Sequence, residues 1–202
     1  DGLLVVNGDT PLVSTGILSR FLSLMEFKNV DLGFISITLE DPKAYGRVVR
    51  DHRGRVAGIV EYKEFNAAEH GLATGEINTG IYYFSYEVLR RLLPQLTNNN
   101  KSGEFYITDL VTLAVQDGLK VEAVNFGNEP CLLGVNTPLE LSEAESNLRR
   151  RINREWMERG VMLHMPDMIT IGPRVVLEPG VRIYGPSEIL NASELHHGSC
   201  VE

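Results

Sequence analysis

Near its C-terminal end, this 202-residue chain places an apolar residue at every sixth position. The recurring residues are Ile171, Leu177, Ile183, Ile189, Leu195 and Val201. Gly172, Gly180 and Gly185 separate repeats. A six-residue apolar period with glycine corners is typical of a parallel β-helix, in which each hexapeptide supplies a short strand and a turn. The alternative is an irregular β-rich tail, and the regular period favours the β-helix.

The segment before residue 136 follows another pattern, in which apolar strands alternate with amphipathic helices. We predict strands at 3–6, 32–39, 77–85 and 120–126, helices at 14–25, 86–96 and 107–118, and a hairpin that turns at 51–54. This alternation predicts an α/β domain with a mostly parallel sheet.

A single long helix is predicted between these two patterns. Thr137 is a suitable N-cap, Pro138 fits the first helical position, and Glu140 completes a capping box. The apolar face continues to Gly160. We therefore expect three parts: an α/β domain over 1–136, a connecting helix over 137–160 and the repeats over 161–202.

Composition excludes several classes of protein. The apolar content of 43% is sufficient for a sizeable core, and the net charge of -8 argues against general binding of nucleic acids. The two cysteines, Cys131 and Cys200, have no ligand spacing, which excludes a disulfide scaffold or a cysteine-based zinc site. We find no membrane span and no signal peptide, and we expect a cytoplasmic location.

The stretch "NGD" places Asn7, Gly8 and Asp9 directly after the first apolar strand. Open α/β sheets bind their ligands at the carboxyl ends of strands, and Mg²⁺ prefers oxygen ligands such as a carboxylate. The alternative is an Asp-Thr-Pro turn in which Asp9 bonds its own backbone. Local sequence alone favours the turn.

Four further residues are candidates for a site. Gly46 permits close approach of a ligand to the backbone, or is a bend before the hairpin. Glu61 can accept from sugar hydroxyls, or lies in solvent. Asn78, at the edge of a strand, can contact a sugar or satisfy a turn. Asn136 can share a cation with Asp9, or support the helix cap.

Six motifs carry a family resemblance over nearly the whole chain: "GDTPL", "LEDPKAYGRVVRD", "GIVEYKE", "EINTGIYYFS", "LTNNNKSGEFYITDL" and "GVNTPLELSEAE". In this order they resemble the bacterial bifunctional N-acetylglucosamine-1-phosphate uridyltransferase / glucosamine-1-phosphate acetyltransferase family. The resemblance implies a Rossmann-like nucleotidyltransferase truncated at its N-terminus, a long linker helix, and the start of a left-handed parallel β-helix.

The resemblance also implies the roles of the candidates. Asn7, Gly8 and Asp9 would line the nucleotide-sugar pocket. Gly46, Glu61 and Asn78 would contact the N-acetylglucosamine moiety, and Asn136 would contact the sugar nucleotide. Asp9 and Asn136 would hold Mg²⁺, the implied cofactor, which reverses the preference for a turn at Asp9. The implied reaction joins UTP and N-acetylglucosamine 1-phosphate into UDP-N-acetylglucosamine and releases pyrophosphate, with no nucleic-acid or membrane partner. The full-length parent would be a homotrimer.

The family's glycine-rich phosphate loop would precede the first residue, and its acetyltransferase residues would follow Glu202. We therefore expect an internal segment of a longer enzyme, truncated at both ends, with little or no activity alone. Pyrophosphate release by the isolated chain would contradict that expectation. The alternatives are another nucleotide-hexose pyrophosphorylase or a non-catalytic sugar-nucleotide-binding module.

Overall fold

The computed structural model describes residues 2–70 and 74–202. The chain divides into two compact units, Asp1–Gly134 and Val135–Glu202. Each is described by itself.

The described part of the first unit contains strands and helices in alternation, with one hairpin. In chain order these are β1 (Gly2–Val6), α1 (Thr15–Lys28), β2 (Leu32–Thr38), β3 (Arg47–Arg50), β4 (Val56–Val60), α2 (Ala67–His70), β5 (Glu76–Ser85), α3 (Tyr86–Leu92), α4 (Asp109–Gln116) and β6 (Val121–Asn125). The predicted strands, helices and hairpin are all present, with small shifts at their ends.

Local chemistry explains where the helices begin and end. Ser14 caps α1, because its side chain accepts from the backbone N–H of Ile17. Helix α3 ends before the predicted residue 96, because Pro94, which has no N–H to donate, lies in a 3₁₀ turn that follows it. Thr108 stands at the N-cap position of α4, but its side chain makes no cap hydrogen bond. Its hydroxyl donates instead to Glu61, a residue of the site described below.

The prediction of a mostly parallel sheet is wrong. Among the described residues the sheet has six strands in the order β4-β3-β5-β2-β6, with β1 also on β5, and its parallel pair is β2 with β6. Strands β1, β2 and β3 each pair with β5 in the antiparallel sense. The β3–β4 hairpin reverses the chain, so β5 enters the sheet against the direction of β1 and β2 and separates them.

Strand β5 is long enough for two strands to share one of its edges. β1 pairs with its C-terminal half, from Gly2↔Ser85 to Val6↔Ile81. β3 begins opposite Ile77 near its other end. The residues of β5 between these two pairings, 78–80, therefore face a gap in the sheet, which we call the β1/β3 gap.

The opposite edge of β5 pairs with β2 through a bulge. Phe34 pairs with Tyr82 and Ser36 pairs with Asn78, so β5 uses four residues where β2 uses two. The hydroxyl of Thr79 donates to the carbonyl of Ile35 at 2.9 Å and ties the bulge to β2. Asn78 was predicted at the edge of a strand, and instead lies inside β5 at this bulge.

Two apolar cores cover the faces of this sheet. One packs α3 and α4 and contains Phe34, Tyr82 and Phe84. The other packs α1 through the buried side chains of Phe21 and Met25. The sheet is thus buried on both faces, as layered α/β units require.

The second unit begins with α5 (Pro138–Glu158), the predicted long helix. Thr137 is its N-cap and forms the predicted capping box with Glu140. Seven short strands follow: β7 (Met162–His164), β8 (Ile169–Ile171), β9 (Val176–Leu177), β10 (Arg182–Tyr184), β11 (Ser187–Ile189), β12 (Glu194–Leu195) and β13 (Cys200–Val201).

These short strands pair in parallel, and all pairs except β7 with β10 are spaced by three hexapeptides. Ile189 pairs with Ile171, Leu195 with Leu177, and Val201 with Ile183. The periodic residues thus stack on one another, and four of the six are buried. Trp156 and Ile152 of α5 pack on the same apolar cluster.

No helix in the described residues combines the length and the apolar character needed to cross a bilayer.

Candidate functional site

One wall of the β1/β3 gap is the turn that follows β1. Asn7 comes directly after the last residue of β1 and lies against Gly80 of β5. A side chain at Gly80 would collide with the Asn7 amide, and Gly80 has a φ of +77°, which other residues rarely adopt. Gly8 is exposed and has open space around its Cα. A ligand in the gap can therefore reach the backbone at Gly8.

The other wall is the start of β3 and the end of β4. The carbonyl of Gly46 accepts from the N–H of Asn78 at 3.0 Å. A Cβ at Gly46 would lie 3.5 Å from each carboxylate oxygen of Glu61, which follows β4 directly. The Thr108 hydroxyl donates to Glu61 Oε1 at 2.8 Å. The Glu61 carboxylate is thus held beside a bare stretch of backbone, where it can accept from ligand hydroxyls.

Asn78 lies between the two walls, and both ends of its amide are engaged. Its Oδ1 accepts from the N–H of Gly80 at 3.2 Å. Its Nδ2 donates to the Tyr82 hydroxyl at 2.6 Å. One N–H of the amide and one lone pair of Oδ1 remain for a ligand.

Asp9 is exposed at the turn after β1. A Cβ at Gly134 would lie 3.2 Å from Asp9 Oδ2, so the carboxylate borders backbone without a side chain. The carbonyl of Gly134 accepts from the Tyr45 hydroxyl at 3.3 Å, which links this corner to the start of β3. The Thr10 hydroxyl donates to Asp9 Oδ1 at a long 3.4 Å. The chain does turn here, but the contact shown for the Asp9 side chain is with the Thr10 hydroxyl and not with its own backbone, and the carboxylate is accessible.

Asn136 belongs to the second unit, where it precedes the cap of α5. Its backbone N–H donates to a carboxylate oxygen of Glu140 at 2.8 Å, and the residue is exposed. This contact matches the predicted alternative role in supporting the helix cap. Its predicted role as a magnesium ligand stays a prediction.

The donor set fits a hard cation that keeps substrate or water oxygens. Within residues 2–70 and 74–202, no three side chains of His, Cys, Asp or Glu converge as a metal cage. Mg²⁺ is commonly bound by one or two carboxylates together with substrate phosphates, and an accessible Asp9 carboxylate suits that mode.

Sequence reasoning missed two residues beside the site. Thr108 stands directly before the apolar helix α4, where Ser and Thr usually act as the N-cap, so its sequence position gives no sign of a contact with Glu61. Tyr82 was part of an apolar strand run and carried no signal of a polar role. Its contact with Asn78 depends on the bulge in β5, which the alternation of residues does not reveal.

A separate cleft of about 590 Å³ lies between the β3–β4 hairpin and β6, and none of the predicted site residues lines it. Its charged walls are Arg50, Asp51, Arg55, Lys120 and Glu122. Arg50 pairs with Glu76, Arg55 with Asp51, and Glu122 with Lys28. These pairs account for four of the five charges, and Lys120, whose ammonium donates to the backbone carbonyl of Lys28, keeps its positive charge at the wall of the cleft.

Curated relatives match this chain over most of its length. A "Bifunctional protein GlmU" of Nitratidesulfovibrio vulgaris (strain DSM 19637 / Miyazaki F) is 49% identical over 201 residues, which are 100% of this chain and 44% of the relative. The proteins of the same name from Oleidesulfovibrio alaskensis and Lawsonia intracellularis are 51% and 39% identical, over 94% and 91% of this chain and 41% and 40% of each relative. The chain thus spans less than half the length of these relatives.

A solved structure and a family model agree on the fold. The structure of a CMP:2-keto-3-deoxy-manno-octonic acid synthetase complexed with CTP matches with a TM-score of 0.51 at 14% identity, over 75% of this chain and 63% of that one. That likeness shows a Rossmann-like α/β fold. The model of the family described as "Nucleotidyl transferase" matches residues 3–160. The chain belongs to the nucleotidyl transferase family.

Proposed function

We propose that the first unit carries the sugar-binding side of a nucleotidyltransferase that makes UDP-N-acetylglucosamine from UTP and N-acetylglucosamine 1-phosphate. The main observation in support is the β1/β3 gap. Six of the seven predicted residues lie at or beside it: Asn7, Gly8, Asp9, Gly46, Glu61 and Asn78. The GlmU relatives, at up to 51% identity, support the same assignment.

The chemistry of the gap suits a sugar. Gly8 has open space where a side chain would stand, so a sugar ring can approach the main chain there, and the Glu61 carboxylate lies beside the bare Cα of Gly46. Glu61 offers acceptor oxygens, and Asn78 offers one donor and one acceptor in fixed directions. A hydroxyl or acetamido group needs such mixed partners.

The proposed reaction needs no protein nucleophile, because the phosphate of the sugar substrate attacks the α-phosphorus of UTP and pyrophosphate leaves. The protein's part is to position the sugar phosphate. We propose Asp9 as a magnesium ligand, and the resemblance assigns Asn136 to the same ion. Magnesium, when bound, neutralises phosphate charge and aligns the reacting groups.

For the second unit we propose the start of a left-handed parallel β-helix of the acyltransferase kind. The parallel pairing of Ile189 with Ile171, eighteen residues apart, supports three hexapeptide strands in each turn. The cytoplasmic location of the chain and the homotrimer of its full-length parent remain predictions.

Calorimetry with UDP-N-acetylglucosamine, with and without Mg²⁺, tests the proposed function. We expect the chain to bind with Mg²⁺, and Asp9→Asn to remove the magnesium dependence and weaken binding at least about tenfold. Asp117→Asn, which alters an exposed aspartate paired with Arg91, is the matched control and should bind normally. No binding by the unsubstituted chain, or unchanged binding by Asp9→Asn, would contradict the proposal. Tighter binding of glucose 1-phosphate than of N-acetylglucosamine 1-phosphate would favour a different pyrophosphorylase.

A further inference from the structure

We infer that Tyr82 is a positioning residue for the sugar site, because its buried hydroxyl fixes the orientation of the Asn78 amide and so decides which amide atom faces the sugar. This inference rests on the proposed function, in which Asn78 contacts the sugar. Tyr82 itself lies in the core with 1% of its surface exposed, so it acts through Asn78.

The bulge in β5 is what brings the two side chains together. In a regular strand, residues four apart are separated by about 14 Å along the strand, which places their side chains out of contact. Here Tyr82 pairs with Phe34 and Asn78 pairs with Ser36, so the two residues lie opposite neighbours on one face of β2. Their separation shrinks to about 7 Å, the rise of two residues. The 2.6 Å hydrogen bond follows from this geometry.

The buried Tyr82 ring packs against two other aromatic rings, which restrict its movement. Its centroid is 6.4 Å from that of Phe34 and 5.8 Å from that of Phe84, with which it stacks. Burial raises the pKa of Tyr82 well above its ordinary value, so the hydroxyl stays protonated. The hydroxyl oxygen is therefore a fixed acceptor for Asn78 Nδ2.

Two hydrogen bonds fix the orientation of the Asn78 side-chain amide. The terminal torsion of an asparagine side chain has broad, roughly two-fold minima, so a free amide exchanges its oxygen and nitrogen easily. At Asn78 the oxygen is held by the N–H of Gly80 and the nitrogen by Tyr82. Loss of the tyrosine hydroxyl leaves only the 3.2 Å contact with Gly80. The amide would then turn between its two orientations and present a mixed pattern to the sugar.

The test is Tyr82→Phe, which keeps the ring and removes only the hydroxyl. We expect the affinity for N-acetylglucosamine 1-phosphate, measured by calorimetry, to fall about fivefold to tenfold, the equivalent of one hydrogen bond. Tyr83→Phe, the neighbouring tyrosine on β5, is the matched control and should bind as the unsubstituted chain does. In an Asn78→Ala background, Tyr82→Phe should cause no further loss, because the tyrosine acts only through Asn78.

A second measurement separates this inference from the proposed function. In NMR spectra, the two side-chain amide protons of Asn78 should be well separated and protected from exchange in the unsubstituted chain. They should move toward free-amide values in Tyr82→Phe but not in Tyr83→Phe. Unchanged amide signals, or an additional affinity loss in the Asn78→Ala background, would overturn the inference. If the unsubstituted chain binds no sugar phosphate, the proposed function fails, and the amide signals alone decide whether Tyr82 orients Asn78.

Discussion

The Glu76 carboxylate is almost fully buried in the sheet. Its charged form is stabilised by hydrogen bonds from two donor side chains. Arg50 donates to both of its oxygens at 2.7 Å, and the Ser36 hydroxyl donates to Oε1 at 2.6 Å. Burial alone would raise the pKa of Glu76, but these hydrogen bonds outweigh burial and hold the pKa below its ordinary value. The charged form is therefore favoured by folding.

We predict that Glu76→Gln lowers the free energy of unfolding at neutral pH by about 1 to 2 kcal/mol, because Arg50 loses its charged partner while remaining partly solvated. Since folding lowers the pKa of Glu76, its contribution is complete above the unfolded-state value of about 4.3 and is lost as the pH falls through the lower folded-state value. Urea denaturation at a series of pH values measures both effects.

The control for that series is Glu87→Gln, which alters an ion pair with Arg90 in which both side chains are more than two-thirds exposed. We expect it to change the unfolding free energy by less than about 0.5 kcal/mol. If both variants lost the same pH dependence, the special role of Glu76 would be refuted.

At the scale of the elements, the bulge in β5 contains a glycine, Gly80, with a positive φ. Gly80 and Gly54 both have a φ of +77°, but a side chain at Gly80 meets Asn7 whereas one at Gly54 meets nothing within 4 Å. We predict that Gly54→Ala costs about 1 kcal/mol from backbone strain alone, and that Gly80→Ala costs at least about 2 kcal/mol more. Chemical denaturation of the two variants measures the difference. Equal losses would show that Asn7 moves aside without cost.

In the second unit, the Asn153 side chain of α5 hydrogen-bonds to the backbone just before β8 and to the first residue of β8. Its Nδ2 donates to the carbonyls of Pro166 and Ile169 at 2.7 and 2.9 Å, and the residue is 1% exposed. Among the described residues its Oδ1 has no partner. Asn153→Asp would set a carboxylate against two carbonyl oxygens, and we predict a loss of about 3 kcal/mol or more.

The matched control is Asn147→Asp, at an exposed position of the same helix. We expect it to alter stability by less than about 0.5 kcal/mol. Urea unfolding followed by the fluorescence of Trp156, the chain's single tryptophan, reports directly on this helix. Similar stabilities for the two variants would mean that Asn153 contributes little to the packing of α5.

Periodicity predicted the elements better than their pairing. The helix α5 and its cap were predictable because Thr137, Pro138 and Glu140 act within one turn. The antiparallel pairing of β5 was not, because the direction of a strand depends on how the whole chain connects rather than on its own residues. The contact of Tyr82 with Asn78 was hidden for a related reason, since a bulge changes which residues share a face.

At the scale of the whole molecule, the net charge of -8 constrains what the chain binds. Nucleic acids bind proteins mainly through Lys and Arg on phosphates, and an acidic surface repels them. We therefore predict no saturable binding of a labelled DNA duplex at about 0.15 M salt in a fluorescence anisotropy titration. Binding that weakened steeply with added salt would contradict this and would point to a basic patch on the surface.

The gap between β1 and β3 also bears on how this fold tolerates change in length. Because β1 ends and β3 begins on the same edge of β5, the opening spans the three residues between Ile77 and Ile81, whatever the length of the chain that joins β1 to β3. A single added residue within β5 would widen it and shift the register of every pairing beyond. Engineering of the pocket size should therefore begin with β5, and grafted loops belong elsewhere.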